Sequence, residues 1–120
     1  MRVVHHANYV KYLELARVRL LDEHHRPYTE YVAAGLHFAV TRVELDYHRA
    51  ARFDDRIGVT AWLRWVHGAS LGVGYVITRG DEALVSGGTD HALVDEQGRP
   101  RRIPKPQRAE LAGLVALQPG

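Results

Sequence analysis

The stretch YVKYLELARVRLL, residues 9–21, decides the fold because its apolar side chains recur with the period of an α-helix. At 100° per residue, one stripe of the helix surface carries five apolar or aromatic side chains, namely Tyr9, Tyr12, Leu13, Ala16 and Leu20. Leu15 and Val18 lie far from that stripe, so we expect a helix that contacts protein on more than one side. Asn8 is the predicted N-cap, because its side-chain oxygen can accept hydrogen bonds from N–H groups of the first turn.

Downstream of this helix the pattern changes to alternating or continuous β-branched and aromatic residues. Four strands are predicted, over residues 37–47, 57–66, 71–78 and 83–94. A short helix over residues 28–34 precedes them, and a terminal helix over residues 104–116 follows. The turn at residues 79–81 favours a hairpin and therefore an antiparallel sheet. Trp62 and Trp65 are an odd number of residues apart, so we expect them on opposite faces of their strand. The layout is α+β, with a curled sheet covering the long helix.

The composition limits the kind of protein. With 120 residues, 46% hydrophobic and 25% charged, the chain has room for one domain, residues 1–120. The net charge of +2 is interleaved along the chain, so no nucleic-acid partner is expected. Charged residues interrupt the most apolar stretch and the first residues lack the apolar part of a secretory signal, so we expect no membrane span and a cytoplasmic location. The absence of cysteine excludes a thiol nucleophile, and the histidine pairs lack the i, i+4 spacing of a helical zinc site, so no metal is expected.

Several blocks of the sequence resemble one family. The segment VVHHANYVKYLELAR, residues 3–17, resembles the signature of hotdog acyl-CoA thioesterases of the 4-hydroxybenzoyl-CoA thioesterase type, D-x-x-G-x-V-x-H-x-N-Y followed by E-x-A-R. Further family blocks are similar to residues 46–55, 89–91, 98–99 and 102–104. The resemblance covers essentially the whole chain and implies a hotdog fold, in which a curved antiparallel sheet wraps a central long helix.

The sequence departs from the family pattern at its first residues. Counting back seven positions from His6, the catalytic Asp of the family would fall two residues before Met1, and the family glycine aligns with Arg2. The resemblance therefore implies a chain truncated at its N-terminus, with the family's first strand missing and an unpaired sheet edge left behind. Three carboxylates on predicted strands are candidate substitutes, although a solvated strand face explains each of them better, namely Glu44, Asp46 and Asp90.

The site that the resemblance implies lies at the start of the first helix, where backbone N–H groups lack acceptors and the helix dipole favours negative charge. His6 is the expected catalytic residue, through its backbone N–H. The other expected residues bind the oxyanion or substrate (Asn8, Tyr9, Thr89 and His91, beside His6) or the CoA phosphates (Arg101, Arg102 and Lys105). From the residues alone, helix capping, core packing and a solvated basic helix remain open for these positions. Glu14 and Arg17 are spaced i, i+3, so we expect an ion pair, either within the helix or at a subunit contact.

The activity that the resemblance implies is hydrolysis of an acyl-CoA thioester to a free acid and coenzyme A, without a cofactor or metal. It also implies a homodimer or homotetramer with sites between subunits. Two alternatives stay open. One is a catalytically inactive hotdog that binds acyl-CoA or another protein, which the missing Asp favours. The other is a hotdog hydratase or dehydratase acting on acyl-CoA.

Overall fold

Three helices and four strands make up the part of the chain that the structure describes. The computed structural model describes the backbone of residues 6–49 and 56–116 and the side chains of residues 11–49 and 56–116. The elements are α1 (His6–His24), α2 (Tyr28–Ala33), β1 (His37–Tyr47), β2 (Gly58–His67), β3 (Ser70–Arg79), β4 (Glu82–Val94) and α3 (Lys105–Val115). The strands form one antiparallel sheet in the order β1-β4-β3-β2, which confirms the predicted α+β class.

Helix α1 is longer than the apolar pattern indicated. It begins at His6, so Asn8 lies inside its first turn and the prediction of Asn8 as N-cap is wrong. The apolar stripe marks where a helix packs, and polar residues ahead of it can extend the helical backbone. Leu13 and Leu21 are buried against the sheet, whereas Leu15 is 59% exposed. The sequence predicted that protein would also pack against the side of the helix that carries Leu15, but the described part of the chain does not cover that side.

The core lies between the helices and one face of the sheet. Alternate residues of β3 face it, each at most 1% exposed, namely Leu71, Val73, Tyr75 and Ile77. Leu111 of α3 and Ile103, just ahead of that helix, are fully buried in the same cluster. The period of two along β3 therefore gives the sheet an inner face, toward the helices, and an outer face.

Both outer strands carry an extra residue at the same level of the sheet. The registers of β1 and β2 each shift by one residue, at Thr41 in β1 and at Arg64 in β2. Both positions lie beside the Gly72–Asp90 pair of the central strands. Because a β-bulge bends its strand and increases the local twist, the two bulges curve the sheet at this level.

Trp62 and Trp65 lie on the same face of the sheet, so the prediction of opposite faces is wrong. They stand opposite Gly74 and Gly72, which are two residues apart and share the outer face. The extra residue in β2 adds one position between the two tryptophans and restores a common direction. A Cβ at Gly72 would lie 2.2 Å from Trp65 Nε1, and one at Gly74 would lie 2.5 Å from Trp62 Cε2. Only glycine leaves room for the two indoles.

Candidate active site

The first turn of α1 supplies backbone N–H groups that have no acceptor within the helix. The helix begins at His6, and Asn8 and Tyr9 follow in the same turn. The first N–H groups of a helix have no acceptor within it, so they can bind an anion or a polarised oxygen. The side chains of these three residues lie outside the described part, as do residues 1–5 and most of the family-like block at residues 46–55.

Three side chains on the inner face of β3 and β4 form a hydrogen-bonded row, which we call the polar row, namely Tyr75, Thr89 and His91. The Oη of Tyr75 lies 2.9 Å from Thr89 Oγ1, which lies 2.7 Å from His91 Nε2. Their exposed fractions are 1%, 5% and 0%. The structure thus brings together two residues that the motifs identified, Thr89 and His91, and adds Tyr75, which the motifs missed. The sequence could have indicated Tyr75, because it lies on the buried side of an alternating strand and a buried tyrosine hydroxyl needs a hydrogen-bond partner.

Burial determines the electrostatics of the polar row. Burial, together with a smaller effect of the positive charge of Arg17, lowers the pKa of His91 to about 4, so its imidazole is neutral at pH 7. Burial raises the pKa of Tyr75, while the hydrogen bond with Thr89 and the nearby positive charge of Arg17 act in the opposite direction. The row is therefore uncharged, and the positive charge beside it comes from α1.

Arg17 points from α1 toward the sheet rather than along the helix surface. Its positive charge acts on both Tyr75 and His91 and lowers the pKa of each, so it lies beside the polar row, and its Nε is buried without a hydrogen-bond partner among the described residues. Glu14 is exposed, and no ion pair joins it to Arg17 within the described residues. The predicted ion pair within the helix is therefore wrong, because the rotation of the helix over the sheet directs the two side chains to different surroundings. A contact of either residue with another subunit stays a prediction.

An apolar strip of β1 borders the polar row and consists of Val40, Val43 and Tyr47. Their exposed fractions are 48%, 52% and 46%. Val40 lies opposite His91 and Val43 lies opposite Thr89 in the sheet, so the strip and the row share the inner face. Strand β1 is an edge of the sheet, with β4 as its one neighbour in the described part of the chain. Exposed apolar side chains and buried polar groups thus meet along this edge.

The three carboxylates considered as substitutes for the family Asp lie on the outer face. Asp90 stands between the two β4 members of the polar row and therefore points away from them, with its Oδ1 3.5 Å from Arg64 Nη2. Glu44 and Asp46 alternate with the residues of the apolar strip, and Glu44 Oε2 accepts a hydrogen bond from Arg42 at 2.9 Å. None of the three can act on a substrate bound at the inner face of this chain.

The residues expected to bind CoA phosphates follow the end of β4. The backbone N–H of Arg101 donates to the carbonyl oxygen of Leu93 at 2.7 Å, which ties this segment to the sheet. The Arg101 Nε donates to Asp95 Oδ2 at 3.0 Å, so a carboxylate already partly neutralises that charge. Arg102 and Lys105 are exposed. Two of the three predicted residues are therefore better placed than Arg101 to bind a phosphate.

Neither a metal-ligand cluster nor a membrane-spanning helix occurs in residues 6–49 and 56–116. No group of three or more histidine, cysteine or acidic side chains there could hold a metal ion. No helix in these ranges is both long and apolar enough to cross a bilayer.

Known proteins share both the sequence pattern and the architecture of this chain. The model of the thioesterase superfamily matches residues 1–86. The acyl-CoA thioester hydrolase YbgC of Escherichia coli O6:H1 is 30% identical over 110 residues, which span 90% of this chain and 82% of YbgC. The crystal structure of the hypothetical protein TT1821 from Thermus thermophilus is similar with a TM-score of 0.86 at 33% identity, covering 93% of this chain and 86% of that one. A probable thioesterase from Bartonella henselae gives a TM-score of 0.79 at 30% identity, covering 86% of each chain.

These similarities confirm the hotdog fold that the resemblance implied. The family model covers more than half of the 120 residues, and the similarity to YbgC extends over most of both chains. The long helix and the antiparallel sheet are the elements of that architecture. The chain is a member of the thioesterase superfamily.

Proposed function

We propose that this chain hydrolyses an acyl-CoA thioester to a free acid and coenzyme A. The observation that carries the proposal is the position of the buried polar row directly beside the exposed apolar strip, on one face of the sheet. An apolar surface suits an acyl group, and a few hydrogen-bonding groups beside it suit the polar thioester. Membership of the thioesterase superfamily and the activity named for YbgC support the same reaction.

The chemistry requires donors for the oxyanion and a nucleophile or base. We assign the donors to the first turn of α1, through the backbone N–H of His6, with Asn8 and Tyr9 shaping the entrance. Thr89 and His91 bind the substrate from the sheet. His91 acts there as a neutral imidazole, because its pKa is lowered to about 4. The acid that the resemblance implies, an Asp seven positions before His6, stays a prediction.

The coenzyme A end of the substrate carries the phosphates. We assign their binding to Arg102 and Lys105, with a weaker contribution from Arg101 because Asp95 already binds its guanidinium. Charge-assisted hydrogen bonds to phosphate are stronger than neutral ones, so two exposed cations are sufficient for a measurable effect.

A second copy of the chain completes the site in this proposal. Strand β1 is an edge strand of 11 residues with exposed apolar side chains on its inner face. An unpaired edge of this length is a surface on which another strand can pair. We therefore propose a homodimer, alone or paired into a homotetramer. The location that we propose for it is the cytoplasm.

The test of the function is release of free thiol from a panel of aliphatic and aromatic acyl-CoA thioesters by the purified chain, after its intact mass has been measured. We expect turnover of at least one panel member. Binding of acyl-CoA in calorimetry without thiol release would contradict the proposal and favour the inactive binding module. Hydration of an enoyl-CoA without thiol release would favour the hydratase alternative.

A further inference from the structure

Four side chains join α3 to the segment between α1 and α2; we call this cluster the latch, and its members are His25, Arg26, Tyr31 and Glu110. Arg26 donates to both carboxylate oxygens of Glu110, from Nε at 2.8 Å and from Nη2 at 2.9 Å. The side chain of His25 is 0% exposed and lies between Glu110 and Tyr31. Its Nδ1 is 3.1 Å from Glu110 Oε2, and its Nε2 is 2.5 Å from Tyr31 Oη. One enclosed imidazole therefore contacts both α2 and α3.

The latch provides the side-chain link between α3 and the first two helices. Within the described chain, the backbone of α3 packs chiefly on β2, and Leu111 anchors it in the core. A surface cavity of about 90 Å³ lies between α2 and α3, and its lining includes Glu30, Tyr31 and Gln107. The latch therefore borders solvent on this side, although the imidazole itself is enclosed.

The neutral form of His25 fits the latch better than the charged form. When it is neutral, the Tyr31 hydroxyl donates to Nε2 and the ring proton lies on Nδ1, facing Glu110. The approach of Nδ1 to Oε2 is off the line of a donor, so this contact is electrostatic rather than a hydrogen bond. A second proton, on Nε2, would face the Tyr31 hydroxyl across 2.5 Å. The hydroxyl, which is part of a side chain only 4% exposed, would then lose its one acceptor among the described residues.

The charges around His25 determine the sign of its response to pH. Burial lowers its pKa from 6.5; the charge of Glu110 opposes this effect, Arg26 adds to it and Glu30 opposes it. Hydrogen bonds from Arg26 lower the pKa of Glu110, which keeps that carboxylate ionised. On the α1 side, Asp22 accepts a backbone N–H from the start of α2 at 2.8 Å. Because the pKa is lowered by folding, the closed latch excludes a proton that an open latch binds, and its contribution is lost as the pH falls below 6.5.

We propose that His25 and Glu110 are positioning residues that hold α3, and with it Lys105, against the first two helices, and that a proton on His25 releases this hold. Lys105 is the first residue of α3 and Glu110 lies in the middle of the same helix, so a loosened latch changes the position of Lys105. Release of α3 therefore weakens the binding of the CoA phosphates in acid. This last step rests on the proposed function, whereas the latch itself does not.

Hydrogen exchange tests the latch without an activity assay. Peptides from residues 105–115 report on α3 and peptides from residues 82–94 report on the core strand β4, after correction for the pH dependence of intrinsic exchange. We expect α3 of the wild type to lose protection between pH 7 and pH 5 while β4 keeps it. His25→Gln cannot titrate, so its α3 should be equally protected at both pH values. The matched control is His24→Gln at the neighbouring exposed position, which should behave as the wild type.

Three results would overturn the proposal. The first is an equal loss of α3 protection in the wild type and in His25→Gln. The second concerns Glu110→Gln, which removes the charge that both Arg26 and His25 contact; we expect its α3 to exchange faster than in the wild type already at pH 7, and wild-type protection at both pH values would contradict this. The third is a pKa of His25 at or above 6.5, measured from the ¹H–¹⁵N signals that His25→Gln identifies.

Steady-state kinetics test the link to the substrate. The two substrates are an acyl-CoA and the acyl-N-acetylcysteamine thioester of the same acid, which has no phosphates. From pH 7 to pH 5 we expect the KM for acyl-CoA to rise several-fold more in the wild type than in His25→Gln, and the KM for the phosphate-free thioester to change equally in both proteins. An equal extra rise for both substrates would refute the effect on phosphate binding. A wild type that releases α3 in acid but frees no thiol from any acyl-CoA would refute the proposed hydrolysis and leave the latch intact.

Discussion

Acid should destabilise this fold through His91. The side chain is 0% exposed, and burial, followed by the charge of Arg17, lowers its pKa from 6.5 to about 4. Between these values the unfolded chain binds a proton that the folded chain excludes. The contribution of His91 is therefore fully present above pH 6.5 and is lost as the pH falls toward 4.

The loss is large enough to measure. A shift of one pKa unit corresponds to about 1.4 kcal/mol, so lowering the pH from 7 to 4.5 should reduce the free energy of unfolding by about 2–3 kcal/mol through this residue alone. Urea unfolding at the two pH values measures the reduction. Carboxylates also lose favourable interactions in acid, so the comparison is with His91→Gln, which keeps a polar side chain and cannot titrate. The exposed His24 provides the control variant His24→Gln.

The prediction concerns the difference between variants rather than their absolute stability. We expect His91→Gln to lose about 2–3 kcal/mol less than the wild type between pH 7 and 4.5, even if it is less stable at both. His24→Gln should fall in parallel with the wild type. Parallel loss in the wild type and His91→Gln would refute the reasoning, because it would mean that folding leaves the proton affinity of His91 unchanged.

Three further substitutions test the packing, the phosphate contacts and the exposed edge. Gly72→Ala should lower the free energy of unfolding by about 1–3 kcal/mol, because its Cβ would lie 2.2 Å from the indole nitrogen of Trp65. Gly113→Ala, which has open space around its Cβ, should not lower it, and equal effects of the two variants in urea unfolding would contradict the packing. Replacing Arg102 and Lys105 together by Gln should raise the KM for acyl-CoA about tenfold and leave unchanged the KM for an acyl-N-acetylcysteamine thioester, which has no phosphates. Equal changes in the two steady-state KM values would exclude the assigned role. Val43→Lys places a charge in the apolar strip, so we expect analytical ultracentrifugation to show a shift from dimer toward monomer. An unaltered sedimentation coefficient would show that no second copy covers the strip.

Most of the secondary structure could be predicted from the sequence because local patterns determine it. The strand predicted over residues 37–47 coincides with β1, and the other three predicted strands differ from the observed ones by at most one residue at each end. The common face of Thr89 and His91 follows from their spacing of two in one strand. The family motifs identified both residues, so this part of the site is predictable from the sequence alone.

The remaining parts of the site depend on tertiary geometry. Arg17 and Glu14 have the spacing of a helical ion pair, but such a pair contributes only about 0.2–0.5 kcal/mol on a helix surface. Arg17 instead lies with its Nε buried and close enough to Tyr75 and His91 for its charge to lower the pKa of both, so tertiary packing overrides the helical spacing. Sequence spacing along α1 carries no information about which strand lies beneath each side chain. The motifs missed Tyr75 for the same reason, since its hydrogen-bond partner Thr89 comes from another strand, β4.

The bulges link the prediction error at the tryptophans to the construction of the site. In β1 the inward apolar residues are Phe38 and Val40 before the extra Thr41, and Val43, Leu45 and Tyr47 after it. If the register continued without the bulge, Thr41 would pair with Asp90, Arg42 would lie opposite Thr89, and a charge would interrupt the apolar strip. The change of phase is visible in the sequence as apolar residues spaced by three instead of two, and β2 shows the same change between Leu63 and Val66. A prediction that assumes a constant period of two along the strand misses this change. A spacing of three between apolar residues within a strand instead predicts a bulge and the side chains that the bulge redirects. In β1 these side chains include the apolar surface on which the proposed acyl site depends.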